Sequence, residues 1–555
     1  MQTVNNTLNN RNEIDSIPGS SQLSESTDPV GLQVSNDSIR LQTLIENLDK
    51  VEKIEELSID APSYILIDMR CLNSLIEKLA CSVCKNNNLV VNADGFMGFA
   101  CKLNVKCITC EATISSNFSS TRVDSEKTVR PPFDVNSRII HAFSSFGRGY
   151  NATEKFFAAL NMKRISSRAY NMHIQYLKDA SDASINTGLL QARQEVRKVH
   201  SMEMNNDDND DKPIDIAVSF DGSWHKRGHT SLYGLGCVIE LTTGYVIDYE
   251  VLSKYCRACS MTEKELGADS PEFAIWQEGH AKDCQKNYED SSPAMEMKAA
   301  EILWKRSMQY GFRYTTLLSD GDAKTYNHIL QLKIYGPSVE IKKEECINHV
   351  SKRLGTGLRQ TVKDWKARGV TLSGRAHGSL TEVTIKKLTK YYHNAIKNNL
   401  HDVQSMKTAI YATLYHGSST DEKPFHMKCP TGASSWCFFN RAIAEKRKPG
   451  SHKENVHTPI NVTVLQKILP VYQRMASTSL LERCLLGRTQ NSNECLHSKI
   501  WSKCPNEIWV SKRKLDIAAA ETISEVIVGC NQTQQNKLME AGISPGQEGK
   551  KINIL

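Results

Sequence analysis

A run of strand, hairpin, helix and strand patterns in the middle of the chain constrains its fold more than any other feature. Ile214 to Phe220 (IDIAVSF) has the apolar and β-branched content of a buried strand and ends at Asp221. The patterns that follow are strand-like at 232–240 and 244–250, helical at 295–310 and strand-like at 314–319. The last run ends at Asp320. Strands and helices in this order predict an α/β core in which two strands end in a carboxylate.

The two aspartates predict a metal site if their strands are neighbours in one sheet. Asp221 lies in SFDGSW and Asp320 in LSDGD. Carboxylates at adjacent strand ends repel each other unless a divalent cation lies between them. Two-metal phosphoryl transfer uses such a pair, with ions about 3.5–4 Å apart. The alternative is that each Asp-Gly pair forms an ordinary turn after a strand.

A two-metal site needs a third carboxylate, which is expected from a later helix. Glu494 lies in QNSNECLHS, just after an Asn and Ser cluster of the kind that caps helices. Glu482 and Glu507 are alternatives that the sequence does not exclude. We take Glu494 as the third ligand.

Two Cys-x-x-Cys pairs near the start predict a zinc ribbon. Their four thiols are those of Cys81, Cys84, Cys107 and Cys110, and the pairs are separated by 22 residues. Two such pairs can supply four thiolates to a tetrahedral zinc ion, which would hold together a module too small to build its own core. Cys101 is an extra thiol that could replace one ligand. The alternative is a cluster of reduced thiols or a redox pair.

Two further groups of Cys and His lie inside the predicted core region. The first is typical of a zinc site inserted after the hairpin, and it comprises Cys256, Cys259, His280 and Cys284. The second has irregular spacing, and it comprises His426 and Cys429 with His416 and Cys437 nearby. Because aromatic residues surround that second group, we interpret it as ordinary packing rather than as a third metal site.

Length and composition divide the chain into several units. A chain of 555 residues predicts roughly three or four domains, and no stretch approaches the length of a membrane helix. The start has no pattern of a secretory signal, so the 17 cysteines are expected to be reduced. The predicted units are a disordered tail at 1–60, a zinc ribbon-like module at 61–115, a helical region at 116–204 that is a candidate for DNA binding, an acidic linker at 205–212, a core at 213–515 with a zinc insertion at about 253–290 and a basic helical insertion at about 351–480, and a C-terminal helix and tail at 516–555.

Positive charge is concentrated in one block. The whole chain carries a net charge of +7, whereas residues 351–400 alone hold 11 Lys or Arg against two acidic residues. A block of this kind fits a surface that faces phosphates, although a solvated helix face would look similar. The candidate DNA-binding residues at its start are Lys352, Arg353, Arg359 and Lys363.

Several long motifs, in order, give the chain a family resemblance. SFDGSW, SKYCRACS, HAKDCQKNYEDSSPAMEMKAA, LLSDGDAKTY, CINHVSKRLG and NSNECLHSKIW together resemble the Mutator-like transposase domain of animal, especially arthropod, genomes. The resemblance implies a DDE-type core with an RNase H-like fold that cuts and joins DNA with Mg²⁺ or Mn²⁺. It places Asp221, Asp320 and Glu494 at the acidic positions, and it matches Cys346 and His349 to a Cys-x-x-His element of the family. Those last two residues could bind metal, orient DNA or pack against the sheet.

These observations predict a nuclear DNA transposase that contains zinc and acts on double-stranded DNA, both at transposon ends and at a target. A homo-oligomer is compatible with that function. The main alternative is a domesticated, non-catalytic DNA-binding protein derived from a transposase. A zinc-stabilised module for protein interaction is the second alternative, and it predicts no salt-dependent binding to DNA.

Overall fold

The computed structural model describes residues 64–124, 130–204, 212–226, 230–321, 323–505 and 508–544. The tail predicted at 1–60 and all but the last residue of the linker predicted at 205–212 lie outside these ranges. In the described residues the strands are β1 Leu89–Met97, β2 Ala100–Cys107, β3 Thr113–Phe118, β4 Ile214–Trp224, β5 Tyr233–Glu240, β6 Val246–Ser253, β7 Phe312–Ser319 and β8 Lys342–Glu345. The helices there, apart from short 3₁₀ turns, are α1 Met69–Ile76, α2 Asp134–Ser145, α3 Tyr150–Ala159, α4 Ser167–Met204, α5 Arg257–Leu266, α6 Pro271–His280, α7 Met295–Ser307, α8 Ala323–Leu332, α9 Ile347–Ala367, α10 Glu382–Lys397, α11 Val403–Ser418, α12 Phe438–Ala444, α13 His452–Asn455, α14 Val462–Met475, α15 Thr478–Glu482, α16 Asn491–Lys503, α17 Lys512–Val528 and α18 Cys530–Glu540.

A five-stranded mixed sheet forms the centre of the molecule, with the strand order β6-β5-β4-β7-β8. Within this sheet β5 pairs antiparallel with both β4 and β6. In contrast, β7 runs parallel to β4, and β8 runs parallel to β7. Every residue of β5 is buried, because helices cover both faces of the sheet. An α/β core was predicted from the sequence, and the chain does fold as a mixed α/β protein.

Helices form a layer on each face of this sheet. On one face, α7 packs through Trp304 against Phe220 and Tyr314, with ring centroids 5.8 and 5.1 Å away. On the other face, α4, α16 and α17 cover the apolar side chains of β5 and β6. The sheet is therefore the middle layer of three.

The N-terminal module is a separate three-stranded antiparallel sheet in the order β1-β2-β3. Its apolar core is small and consists largely of Leu89 together with cysteines. Asn136 at the start of α2 holds the β1–β2 turn, because its side chain accepts from the Phe99 amide at 2.8 Å and donates to the Met97 carbonyl at 2.9 Å. The module is thereby joined to the helices that follow it.

A helical subdomain between β8 and α16 has its own apolar core. Its buried residues come mainly from α9, α10, α11, α14 and α15 and run from Ile347 to Cys484. The insertion was expected at about 351–480, so the observed subdomain begins slightly earlier, directly after β8. Consequently α9 starts at the edge of the central sheet.

Two boundaries differ from those expected. The strand expected at 214–220 continues to Trp224, because β5 pairs with it through Gly234, beyond the point where pairing with β7 ends. The expected end of the core at 515 falls inside α17, which is buried along most of its length against the sheet layer. Sequence periodicity does not identify α17 as a central helix, because apolar or small residues occupy several faces of this helix.

Candidate active site and zinc centres

Asp221 and Asp320 lie at the same edge of the central sheet. The last residues paired between the parallel strands β4 and β7 are Ser219 and Leu318, and each aspartate lies two residues beyond its member of that pair. Adjacent strands in a sheet are about 4.8 Å apart. The two carboxylates therefore start from neighbouring backbone positions, as was expected if the strands were adjacent.

Asp221 does not end its strand. It is paired with Cys237 on β5, while its pairing with β7 has already stopped. Burial and the nearby Asp221 carboxylate raise the pKa of the Cys237 thiol, so that thiol remains neutral beside the site. The Asp221 side chain itself is about 29% exposed, so solvent can reach it.

Helix α16 lies across this edge and is anchored to β4 on both sides of Asp221. Gln490, just before α16, donates to the Phe220 carbonyl at 2.9 Å. Three further contacts join every second residue of β4 to every fourth residue of α16. They are Ser219 Oγ to Asn493 Oδ1 at 2.6 Å, His497 Nδ1 to Asp221 Oδ2 at 3.4 Å, and Trp501 Nε1 to Ser223 Oγ at 2.7 Å. Polar groups thus fix the position of the helix along the strand.

Glu494 is in the first turn of α16, between two of these anchors. Its carboxylate is about 48% exposed and lies 3.0 Å from His349 Nε2 and 3.8 Å from Lys352 Nζ. His349 is in the first turn of α9, which begins directly after β8. The alternative Glu482 ends α15, and the alternative Glu507 lies outside the described residues.

Cys346 and His349 have different environments. The Cys346 thiol is buried and accepts a hydrogen bond from the Gln490 amide at 3.4 Å. The Cys346 amide donates to the carbonyl of Ser319, the residue before Asp320, at 3.3 Å. Cys346 therefore packs between the sheet edge and the start of α16, while His349 contacts the Glu494 carboxylate.

His497 also lies beside Asp221, and it was not among the residues predicted from the sequence. It lies three residues after Glu494, so both side chains point from the same side of α16. Its Nε2 atom is buried without a hydrogen-bond partner among the described residues. The Glu-x-x-His spacing on a predicted helix was the available signal.

The donors at this sheet edge are of the kind that a hard divalent cation prefers, but Asp221, Asp320 and Glu494 are not among the groups of described residues whose ligand atoms all lie within 4.8 Å of one another. Carboxylate oxygens are the ligands that Mg²⁺ and Mn²⁺ prefer, and an imidazole also suits Mn²⁺. Three carboxylates near one edge repel one another, and a bound cation relieves that repulsion. His349 contacts the Glu494 carboxylate and His497 contacts the Asp221 carboxylate, so each imidazole can orient its partner.

The predicted DNA-binding residues fall into two kinds. Arg353 pairs with the buried Glu345 at 2.6 Å, and Arg359 pairs with Glu382 at 2.7 Å, so both guanidinium groups already have carboxylate partners. Lys352 and Lys363 are exposed on α9. Their spacing of eleven residues, about three helical turns, puts them on one face that leads away from Glu494.

The four cysteines of the N-terminal module converge. The Sγ atoms of Cys81 and Cys110 are 3.7 Å apart, and those of Cys84 and Cys107 are 3.6 Å apart. All four thiols lie within 4.8 Å of one another. The Cys110 amide, acting with other donors, lowers the pKa of Cys107 to about 6, which favours a thiolate. The group can hold zinc, and Cys101 is not part of it.

The second predicted group also converges, at the start of α5 and the end of α6. Cys256 Sγ is 3.3 Å from His280 Nε2, and the thiols of Cys259 and Cys284 are 3.5 Å apart. Burial opposes ionisation of Cys256, but backbone amides and the His280 ring outweigh it and lower the pKa of the thiol to about 6. This group can hold zinc as well.

The third group was expected from the sequence to be ordinary packing. The ligand atoms of its four side chains nevertheless lie within 4.8 Å of one another.

No helix in the described parts of the chain has the length and apolar content needed to cross a membrane.

Comparison with known proteins gives one family. The family model for the Mutator-like transposase matches residues 64–437, which is about two thirds of the chain. No curated protein matches the sequence. The matched part includes the N-terminal module, the central sheet and about two thirds of the helical subdomain, and it ends before α16.

Proposed function

The chain belongs to the Mutator-like transposase family, and from that membership we propose that it is a DDE-type DNA transposase. In this proposal Asp221, Asp320 and Glu494 bind Mg²⁺ or Mn²⁺ and form the active site. Members of the family move DNA, so double-stranded DNA is the proposed substrate and the nucleus the proposed location.

One observation carries the proposal, namely the way in which distant segments meet at one sheet edge. The two aspartates extend from adjacent parallel strands in equivalent register. More than 170 residues later in the sequence, α16 is anchored to the first of those strands, so that Glu494 lies beside the β8–α9 junction. A structural turn would not require a second and a third acidic residue at the same edge.

The strand order supports an RNase H-like core. In that fold three antiparallel strands are extended on one side by two parallel strands, and the acidic residues cluster where the parallel strands end. The sheet β6-β5-β4-β7-β8 has this order and these directions. The helical subdomain is then an insertion between the last strand and the helix that bears the glutamate.

The residues of the chain have distinct proposed roles. Asp221 and Asp320 provide oxygen ligands from rigid strands, while Glu494 completes the set from a helix. His497 and His349 hold the Asp221 and Glu494 carboxylates in position. Cations bound there would polarise a water or a 3′-hydroxyl and stabilise the leaving oxygen.

The exposed face of α9 offers a path for the DNA backbone. Lys352 lies 3.8 Å from Glu494, and its side chain is about 67% exposed, so it can contact a phosphate next to the scissile bond. Lys363 extends the same face away from the site. Arg353 and Arg359 instead stabilise α9 through their ion pairs, which leaves the lysines as the main phosphate ligands in this proposal.

The two predicted zinc groups have structural roles in the proposal. The N-terminal group closes the three-stranded module, whose apolar core is too small to be stable alone. The group from Cys256 to Cys284 holds α5 and α6 together at the end of β6.

Strand cleavage and joining of labelled DNA with candidate element ends tests the proposal. We expect activity with Mg²⁺ or Mn²⁺, and a loss of about a hundredfold or more in Asp221→Asn, Asp320→Asn and Glu494→Gln. Asp215→Asn and Glu482→Gln are matched controls, because the first lies at the far end of β4 and the second ends α15. Binding of Mn²⁺, followed by electron paramagnetic resonance, should weaken in the same three variants.

Two outcomes would contradict parts of this proposal. Full activity in any of the three variants would remove that residue from the site. A native chain that binds DNA in a salt-dependent way, but binds no Mn²⁺ and cleaves nothing, would favour a domesticated, non-catalytic DNA-binding protein.

A further inference from the structure

The loop between α11 and α12 gathers four potential metal ligands. His416 is in the last turn of α11, His426 and Cys429 are in the loop, and Cys437 is the N-cap of α12. His426, Cys429 and Cys437 are 4%, 5% and 0% exposed. Trp436, Phe438 and Phe439 pack against the two histidine rings, as the sequence suggested, so aromatic packing alone does not decide whether the group binds a metal.

The distances within this group are those of tetrahedral zinc ligands. With Zn–S near 2.3 Å and Zn–N near 2.0–2.1 Å, tetrahedral angles put sulfur and nitrogen about 3.6 Å apart. Cys437 Sγ lies 3.4 Å from His426 Nδ1, and Cys429 Sγ lies 3.8 Å from the Nδ1 atoms of both His416 and His426. The two groups that were predicted to bind zinc show ligand separations of 3.3–3.7 Å.

A chain of hydrogen bonds sets which nitrogen of His426 carries its proton. His452 Nδ1 lies 2.6 Å from an Asp421 carboxylate oxygen, which only accepts, so the proton of His452 is on Nδ1. In the neutral ring His452 Nε2 is then an acceptor, and it lies 2.9 Å from His426 Nε2, which donates to it. The Nδ1 atom of His426 is left with a lone pair that points at the two thiols.

This arrangement distinguishes a metal site from ordinary packing. A packed cluster needs no fixed tautomer, whereas a ligating histidine usually donates its second N–H to a partner that orients the ring. We propose that His416, His426, Cys429 and Cys437 bind a third structural zinc ion. Asp421 and His452 act as the outer partners that orient His426, and the ion fixes the loop against α11 and α12.

Zinc content of the purified full-length chain tests this inference. If the other two groups are filled, we expect three zinc ions per native chain, and one fewer in Cys437→Ser. Cys484→Ser is the matched control, because Cys484 is a buried free thiol of the same subdomain outside the group. The difference in zinc content between the native chain and Cys437→Ser is the decisive measurement. This difference is the same whether or not the other two groups are filled.

A second variant tests the role of the hydrogen-bond chain without removing a ligand. His452→Gln should lose zinc to a competing chelator about 10–100-fold more readily than the native chain, as expected for outer partners of a metal site. His457→Gln, an exposed neighbour, should behave like the native chain. Equal zinc retention in both variants would contradict the assigned role of His452.

X-ray absorption of the native chain tests the inference even if Cys437→Ser does not fold, because it measures the average number of sulfur ligands per zinc ion. Two sites alone give an average of 3.5 sulfur ligands per zinc, whereas three sites give 3.0, because the third adds two sulfurs and two nitrogens. An average near 3.0 with three ions per chain supports the inference. An average near 3.5 with two ions, or a zinc content that Cys437→Ser leaves unchanged, overturns it.

Discussion

The anchoring of α16 leads to a specific prediction about Asn493. Its side chain is fully buried, accepts from Ser219 Oγ at 2.6 Å and donates to the Cys237 carbonyl at 3.3 Å. Asn493→Ala removes both hydrogen bonds and leaves two buried polar groups on the sheet. Since an unsatisfied buried group costs about 1–3 kcal/mol, we expect the free energy of local opening of α16 to fall by about 2–4 kcal/mol.

Hydrogen exchange of peptides that cover α16 measures this change directly. A loss of 2–4 kcal/mol corresponds to exchange that is about 30–1,000 times faster, provided that these amides exchange through local opening. Peptides from the N-terminal module should exchange at the native rate, because the two hydrogen-bond partners that Asn493 loses, Ser219 and Cys237, belong to the central sheet. Cys495→Ala is the matched control, since Cys495 is exposed on the same helix and its replacement removes no buried hydrogen bond.

Strand cleavage links this opening to function. If Glu494 acts from α16, Asn493→Ala should reduce cleavage, whereas Cys495→Ala should not. Ser219→Ala combined with Asn493→Ala should show a coupling energy of roughly 1 kcal/mol, because the two side chains share one bond. Native exchange rates in Asn493→Ala, or fast exchange with unchanged cleavage, would refute the view that these anchors position the active site.

Three further predictions concern stability. Burial alone would raise the pKa of the Glu521 carboxyl, but the positive charges of the buried Lys537 and a second lysine outweigh this effect and lower the pKa to about 2. The free energy of unfolding that this pair contributes should therefore be lost as the pH falls from about 4.5 to 2. Glu521→Gln should lower the free energy of unfolding at neutral pH by about 3–5 kcal/mol and flatten its acid dependence, as urea unfolding would show. Gly236→Ala should cost about 1–3 kcal/mol, because a Cβ atom there would lie 2.8 Å from that of Ala299, whereas Gly279→Ala, in open space, should not. Chelation of zinc should accelerate hydrogen exchange throughout the three-stranded module, and protected exchange in the metal-free chain would contradict a structural zinc there.

Local patterns were sufficient to predict the elements of the core. The helix expected at 295–310 corresponds to α7 with a following 3₁₀ turn, and the strand expected at 314–319 corresponds to β7 with two added residues. Two Cys-x-x-Cys motifs in the first group, and one with His280 and Cys284 in the second, likewise indicated two groups that do converge. Such features depend on short-range spacing, which a sequence shows directly.

Features that depend on long-range contacts were not predictable in the same way. His497 contacts Asp221 across 276 positions of sequence, and no local pattern reveals that pairing. The group around His426 was interpreted as packing because its spacing is irregular, yet α11 and α12 bring its members together. Arg353 and Arg359 were predicted to contact phosphates because the sequence shows their positive charge. It does not show that Glu345 and Glu382 pair with them in the fold.

The helix that carries Glu494 is part of the fold itself, although the family match ends at residue 437. Leu235 and Ile239 of β5 are buried against a cluster that includes Leu496 and Ile500 of α16, together with the apolar side of α17. Without these two helices much of one face of the central sheet would be exposed, because only α4 would still cover it, and an apolar surface of that kind is unfavourable in water. The same packing that completes the sheet also brings Glu494 to the edge where Asp221 and Asp320 lie. Completion of the core and assembly of the proposed active site therefore depend on the same helix.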